Sequence, residues 1–145
     1  MRIFIDADGC PVVDLTIQTA KKFNIPVTIL ADTAHIFRRT DAEIITVSKG
    51  TDAVDFSLVN LIQNNDVVIT QDYGLAAMCL ARRAIPIHQN GMIYSEDNIN
   101  SLLEARHLSK KIRNAGGRLK GPKKRTTEND EAFQKVLLGV LNAKK

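Results

Sequence analysis

Two aspartates stand immediately after the first apolar stretch of the chain. Residues Arg2 to Ile5 predict a short buried strand, and Asp6 and Asp8 follow it directly in the run Asp-Ala-Asp-Gly-Cys-Pro. In open α/β sheets ligands bind outside the carboxyl ends of the strands, and two carboxylates held close together there repel each other unless a cation or a proton intervenes. The pattern therefore favours a cation site. A second role is open for Asp8, because Asp8-Gly9 is a good turn pair and Asp8 could cap the helix that Pro11 begins.

Further acids follow at two later strand-to-helix junctions. Asp52 and Asp55 fall in the first turn of a predicted helix, and Asp72 follows the fourth predicted strand. Each of them could simply cap its helix or interact with the helix dipole. Three junctions nevertheless deliver an Asp to the same edge of one sheet, and a hard divalent cation such as Mg²⁺ or Mn²⁺ would relieve their repulsion. The candidate metal ligands are Asp6, Asp8, Asp52, Asp55 and Asp72.

Such a site would suit the hydrolysis of a phosphate ester. The cation would polarise a phosphoryl oxygen, one carboxylate would orient or deprotonate water, and the leaving oxygen would be neutralised. The candidate catalytic residues are Asp6, Asp55 and Asp72. An alternative comes from the Asp6-x-Asp8-Gly9 opening, which resembles haloacid-dehalogenase-type phosphatases with a nucleophilic first Asp, although Cys10-Pro11 departs from that motif at once.

The alternation of apolar patterns predicts the elements that hold these acids. Strands are expected over residues 2–5, 25–30, 43–47, 67–70 and 84–87, and helices over 12–23, 52–63 and 75–82, with a longer helix from 95 to about 112. This order predicts a three-layer, Rossmann-related α/β domain with a mostly parallel sheet and helices on both faces. The expected organisation is an α/β domain over 1–114, a basic linker or arm over 115–128, and a C-terminal helix over 129–145 that packs on the domain.

Charge is distributed unevenly along the chain, whose net charge is +4. Residues 1–105 carry 8 Lys and Arg against 13 Asp and Glu, a balance of 8 − 13 = −5, and the remainder carries 12 against 3, or +9. A basic end on an acidic body is typical of proteins that bind polyanions, and here it indicates contacts to a nucleic-acid backbone. A solubilising linker is the alternative. The candidate nucleic-acid-binding residues are Lys110, Lys111, Arg113, Arg118, Lys120, Lys123, Lys124 and Arg125.

Composition also restricts the cellular compartment in which the protein is expected to function. No apolar stretch approaches the length of a membrane span, and the N-terminus enters the first strand without the pattern of a signal peptide. The two cysteines, Cys10 and Cys79, form neither a disulfide framework nor a zinc site. We therefore expect a cytoplasmic protein that does not contact membranes.

Several of these segments together resemble a known family. Asp6-Ala7-Asp8-Gly9-Cys10-Pro11-Val12, Gly50 to Asp55, Thr70-Gln71-Asp72 and His88-Gln89-Asn90-Gly91 are similar to segments of the bacterial YaiI/YqxD family, and the resemblance spans the chain. That family looks like a branch of the PIN-like nucleases, in which acids after the first and fourth strands and in an intervening helix bind Mg²⁺ or Mn²⁺ for RNA cleavage. The resemblance implies these roles for Asp6, for Asp52 or Asp55, and for Asp72, although the helical acid of PIN domains is usually Glu. A non-catalytic nucleic-acid-binding or regulatory protein on the same fold is the alternative.

Overall fold

The described part of the chain, which in this computed structural model comprises residues 1–32, 41–47, 53–117 and 124–144, contains five strands and five helices. The strands are β1 (Ile3–Asp6), β2 (Val27–Asp32), β3 (Glu43–Val47), β4 (Val67–Ile69) and β5 (Ile85–Ile87). The helices are α1 (Val13–Lys21), α2 (Ala53–Leu61), α3 (Tyr73–Ala81), α4 (Glu96–Asn114) and α5 (Thr127–Ala143). Among these helices none is long and apolar enough to cross a membrane.

The five strands form one parallel sheet in the order β3-β2-β1-β4-β5. The central strand β1 pairs with β2 on one side, where Asp6 faces Leu30, and with β4 on the other, where Ile5 faces Ile69. The chain moves outward from β1 to β2 first and returns to β4 later, so the strand order reverses between β1 and β4. The carboxyl edge at such a reversal is the usual ligand-binding position of open α/β sheets.

Alternating side chains of β1 supply the cores on the two faces of the sheet. Ile3 and Ile5 are fully buried with residues of α1 and α5, whereas Phe4 is buried with residues of α2 and α3. The period of two in a strand puts neighbouring side chains on opposite faces, and both faces here are covered by helices. The predicted three-layer α/β architecture, with a parallel sheet between two layers of helices, is confirmed.

The C-terminal helix α5 belongs to the same core as the sheet. Phe133, Leu137 and Leu141 recur every fourth residue and are at most 1% exposed, packed with β1 and α1. The helix begins at Thr127 rather than at the predicted residue 129, because Thr126 and Asn129 form a reciprocal capping box at its start. The predicted basic linker therefore ends earlier than the sequence suggested.

Strand β2 differs from the prediction at both of its ends. After α1, Asn24 takes a left-handed conformation with φ of 55°, and the Ile25 amide donates to Ala20 O at 3.2 Å, so the start of the predicted strand closes the helix instead. At the other end β2 continues to Asp32, which pairs in register with Val47 of β3. This extension carries Asp32 to the edge of the sheet that holds Asp6.

Candidate functional site

A cavity of about 380 Å³ opens at the carboxyl edge of the sheet, at the reversal between β1 and β4. Its described lining contains five carboxylates, and four of these are predicted site residues: Asp6, Asp8, Asp55 and Asp72. The full described lining is Asp6, Asp8, Asp32, Val54, Asp55, Gln71, Asp72, Tyr73 and Arg106. The three strand-to-helix junctions thus bring their acids into one cavity.

Asp6 is the last residue of β1 and is only partly exposed. Burial raises the pKa of its carboxyl group from 3.8 to about 6; a hydrogen bond from Thr70 lowers this pKa, and the nearby carboxylates of Asp72 and Asp8 raise it. Negative charge at this position is therefore disfavoured, and a cation bound there would offset that cost.

Thr70 connects the ends of the two central strands. Its hydroxyl group donates to Asp6 Oδ2 at 2.9 Å and accepts from the Asp72 amide at 3.0 Å. Because the amide can only donate, the hydroxyl proton is directed to Asp6, whose carboxyl oxygen acts as the acceptor. Thr70 itself is 2% exposed, so this pair of bonds fixes the orientation of Asp6 from inside the protein.

Asp72 caps α3 and lines the cavity at the same time. Its Oδ1 atom accepts from the amides of Gly74 at 2.8 Å and Leu75 at 3.2 Å, and the same oxygen lies 3.6 Å from Nη1 of Arg106. The capping role considered from the sequence is therefore present, and it does not exclude Asp72 from the site. A cap held by two backbone amides fixes the direction of the carboxylate.

Asp8 lies in a tight turn between β1 and α1. The Cys10 amide donates to Ala7 O at 3.1 Å, and Gly9 has φ of +69°, as the third residue of a type II turn requires. Val12 is the N-cap of α1, and the described chain places no side-chain cap there, so Asp8 makes the predicted turn but not the alternative cap.

Among the described residues of α2, Asp55 is the acid that lines the cavity. Helix α2 begins at Ala53, and Asp55 lies in its first turn beside Val54, which also lines the cavity. The other candidate, Asp52, lies outside the described residues. The sequence left the choice between the two open, and for Asp55 the position at the cavity is now defined.

Two charged lining residues were not predicted from the sequence. Asp32 ends β2 as Asp6 ends β1, so the rule that located Asp6 would have found it had the strand been extended by two residues to its observed end. Arg106 comes from α4, far along the chain, and nothing in the local sequence marks it. Its position depends on how α4 packs on α3.

The predicted basic residues fall into three groups. Lys110, Lys111, Arg113 and Lys124 are exposed, and Arg118, Lys120 and Lys123 lie outside the described residues. Arg125 is engaged within the protein: its guanidinium group donates to Asn90 Oδ1 at 2.6 Å, to Gln89 O at 2.8 Å and to Asp130 Oδ1 at 2.8 Å. These bonds join the loop after β5 to the start of α5, and the nucleic-acid contact of Arg125 stays a prediction.

The thiols and His88 contribute little reactive chemistry to this edge. Burial raises the pKa of Cys10 to about 11 and that of Cys79 to about 12, so both stay protonated thiols at neutral pH. Burial lowers the pKa of His88, whose Nδ1 accepts from the Asn90 amide at 3.0 Å. His88 is outside the described lining of the cavity.

The carboxylates suit a Mg²⁺ or Mn²⁺ ion that keeps several of its bound waters. Within residues 1–32, 41–47, 53–117 and 124–144, no group of three or more His, Cys, Asp or Glu side chains is placed to hold a metal ion together. Mg²⁺ does not need such a cage, because it keeps several waters and binds through one or two carboxylates plus a substrate phosphate. The residues therefore fit a largely hydrated cation, with Asp6 and Asp72 nearest to the strand reversal.

The fold and the cavity define an α/β protein with an acid-lined cavity at the switch point of a parallel sheet. A family model described as "Uncharacterized BCR, YaiI/YqxD family" matches residues 4–143, and the chain belongs to this family. Its relatives include a UPF0178 protein of Exiguobacterium sibiricum, 51% identical over 144 residues and 99% of both chains. Another, from Ruminiclostridium cellulolyticum, is 51% identical over 138 residues, covering 95% of this chain and 90% of the relative.

A solved structure also shows an overall similarity. The crystal structure of a mutant of Rae1 (YacP) from Bacillus subtilis aligns over 100% of both chains with a TM-score of 0.45 and 15% sequence identity. At this level the similarity carries no inference about activity.

Proposed function

We propose that this protein is a divalent-metal-dependent phosphodiester hydrolase, with RNA as its substrate and the acid-lined cavity as its active site. The observation that carries the proposal is the convergence of five carboxylates in one cavity at the strand reversal, where burial already raises the pKa of Asp6. A structural role would not require so many acids at one place, because like charges destabilise one another unless a cation compensates them.

Each acid has a distinct task in the proposed mechanism. Asp6 and Asp72 would hold Mg²⁺ or Mn²⁺ directly, while Asp8, Asp32 and Asp55 would accept hydrogen bonds from its waters. The bound cation would supply charge stabilisation for the phosphoryl oxygen and the leaving oxygen.

The protein's own residues would direct and accept the protons in this mechanism. Thr70 keeps Asp6 oriented, because its hydroxyl proton is already directed to Oδ2 at 2.9 Å. Asp55 lies in the first turn of α2 and lines the cavity. It is our candidate for the carboxylate that orients the attacking water and accepts its proton. The helix cap at Asp72 fixes the direction of that carboxylate, so this acid is preorganised rather than flexible.

The charge distribution and the family resemblance support RNA as the proposed substrate. Lys110, Lys111 and Arg113 are exposed on the last turns of α4, and Lys124 is exposed shortly before α5. Such residues would contact phosphates through counterion release and give no base specificity. Affinity for RNA should therefore weaken as the salt concentration rises.

The test is hydrolysis of a labelled single-stranded RNA with Mg²⁺, Mn²⁺ or EDTA. Cleavage should need the metal, and Asp72→Asn should lower the rate by about a hundredfold or more. Asparagine caps helices as well as aspartate does, so this change removes the charge while keeping the α3 cap. The matched control is Asp97→Asn, which removes an exposed carboxylate at the start of α4, outside the described lining, and should leave cleavage unchanged.

Four outcomes would contradict the proposal. Cleavage that persists in EDTA would rule out the metal requirement, and cleavage unaffected by Asp72→Asn would rule out the cavity as the active site. RNA binding without cleavage across several metals and substrates would support the non-catalytic alternative, and a trapped phosphoaspartate at Asp6 would support a phosphatase.

A further inference from the structure

Arg106 is the basic residue of the described cavity lining, and its position is set by the packing of α4. Ile99, Leu102, Leu103 and Arg106 lie at i, i+3, i+4 and i+7, which is one face of a helix. The first three pack with Ala76 of α3 and with Tyr94. The face that docks α4 on α3 therefore continues directly into Arg106, which is carried to the N-terminal end of α3.

The contact between Arg106 and Asp72 is too loose to be structural. Nη1 lies 3.6 Å from Asp72 Oδ1, and the arginine side chain is 61% exposed. That oxygen already accepts two backbone hydrogen bonds, at 2.8 Å and 3.2 Å. Exposed ion pairs of this kind contribute little to stability, so the guanidinium group can exchange this partner for another anion.

The cavity would take up a phosphate poorly without such a group. Five carboxylates surround the same space, and they would repel an anionic ligand. A guanidinium group presents a planar fork of N–H donors that matches two oxygens of a phosphate.

We propose that Arg106 is the phosphate-binding residue of this cavity and that it releases Asp72 when a phosphate ester enters. The inference rests on the proposed function for the identity of the site, and it adds the residue that recognises the substrate. Arg106 touches the phosphate directly, and the carboxylates touch it only through a cation. Removing the arginine should therefore weaken the binding of a phosphate while leaving the binding of a metal intact.

The test measures binding of AMP, which carries a phosphate but no phosphodiester bond to cleave. Titration calorimetry with and without Mg²⁺ would compare wild type, Arg106→Lys, Arg106→Gln and Arg82→Gln. The last is the matched control, since Arg82 is an exposed arginine at the C-terminal end of α3 and outside the described lining. Arg106→Gln should weaken AMP binding by about tenfold or more, Arg106→Lys should recover part of the loss, and Arg82→Gln should match wild type.

A separate readout distinguishes this inference from the proposed function. The rise in melting temperature with Mn²⁺ and no AMP should be retained in Arg106→Gln, or increased, because a competing cation has left the carboxylates. Equal AMP affinity in wild type and Arg106→Gln, equal losses in Arg106→Gln and Arg82→Gln, or no AMP binding by wild type would each overturn the role of Arg106. Absence of any Mn²⁺ response in wild type would instead count against the metal site.

Discussion

Replacing Asp6 by Asn should stabilise the metal-free protein at neutral and alkaline pH. The folded-state pKa of about 6 lies above the ordinary value of 3.8, so between these values the folded chain holds a proton that the unfolded chain has released. Asp6 therefore lowers the stability progressively as pH rises from about 4 to about 6, and its full cost is present above that window.

The magnitude follows from the size of the shift. The pKa of Asp6 rises from 3.8 to about 6 on folding, and each pKa unit corresponds to about 1.36 kcal/mol. The ionised carboxylate therefore lowers the free energy of unfolding by at most about 3 kcal/mol. We expect a gain of roughly 1–2 kcal/mol, because the side chain retains some contact with solvent, which screens the charge. Asparagine also keeps an acceptor for the hydroxyl of Thr70, so the buried hydrogen bond is not lost.

The assay is urea unfolding in EDTA at pH 4 and pH 8. Asp6→Asn should exceed wild type by roughly 1–2 kcal/mol at pH 8 and approach it at pH 4. The control Asp97→Asn, at the exposed start of α4, should give no gain at pH 8. A gain for Asp6→Asn of equal size at both pH values, or a loss at pH 8, would refute the argument that carboxylate desolvation dominates at this position.

Three further predictions concern the stability of the fold. Asp66→Ala should cost about 3 kcal/mol of unfolding free energy in urea, because this carboxylate is 3% exposed and accepts three hydrogen bonds. Gly91→Ala should lower the free energy of unfolding by at least about 2 kcal/mol, since φ is +91° and a Cβ would lie 2.8 Å from a backbone oxygen of α5. Gly139→Ala lies in a helix with open space around the added Cβ and should raise the free energy of unfolding by about 0.5–1 kcal/mol. Thermal unfolding compares the two variants. Arg125→Gln should lower stability by about 1–3 kcal/mol through its lost hydrogen bonds, whereas exposed Lys124→Gln should stay within about 0.5 kcal/mol of wild type.

The sequence was sufficient for the layers of the fold and for most of the acids at the cavity. Strands such as Val67–Ile69 are short apolar runs, and the alternation with helical patterns leaves few topologies that obey right-handed crossovers. Once a parallel sheet is inferred, the positions of Asp6, Asp55 and Asp72 follow from local junctions. Each acid is found within a few residues of a strand end or a helix start.

Contacts between distant elements were not accessible in the same way. The position of Arg106 depends on how α4 docks on α3, and the hydrogen bonds of Arg125 depend on how the start of α5 docks near the loop after β5. No periodic pattern encodes a docking angle. Arg125 looked like one more residue of a basic run, yet its surroundings turn it into a link between a loop and a helix. Asp32 was missed for a smaller reason, because strand ends are set by pairing with β3 rather than by local propensity.

The central claim is that a divalent cation binds among the carboxylates at the strand reversal. Anomalous diffraction at the manganese absorption edge from crystals soaked in Mn²⁺ tests it most directly. The account predicts one strong peak in the cavity, within coordination distance of Asp6 or Asp72 oxygens and surrounded mainly by water, and its loss in crystals of Asp6→Asn soaked in the same way. A peak elsewhere on the molecule, or a cavity without a peak at saturating Mn²⁺, would contradict it.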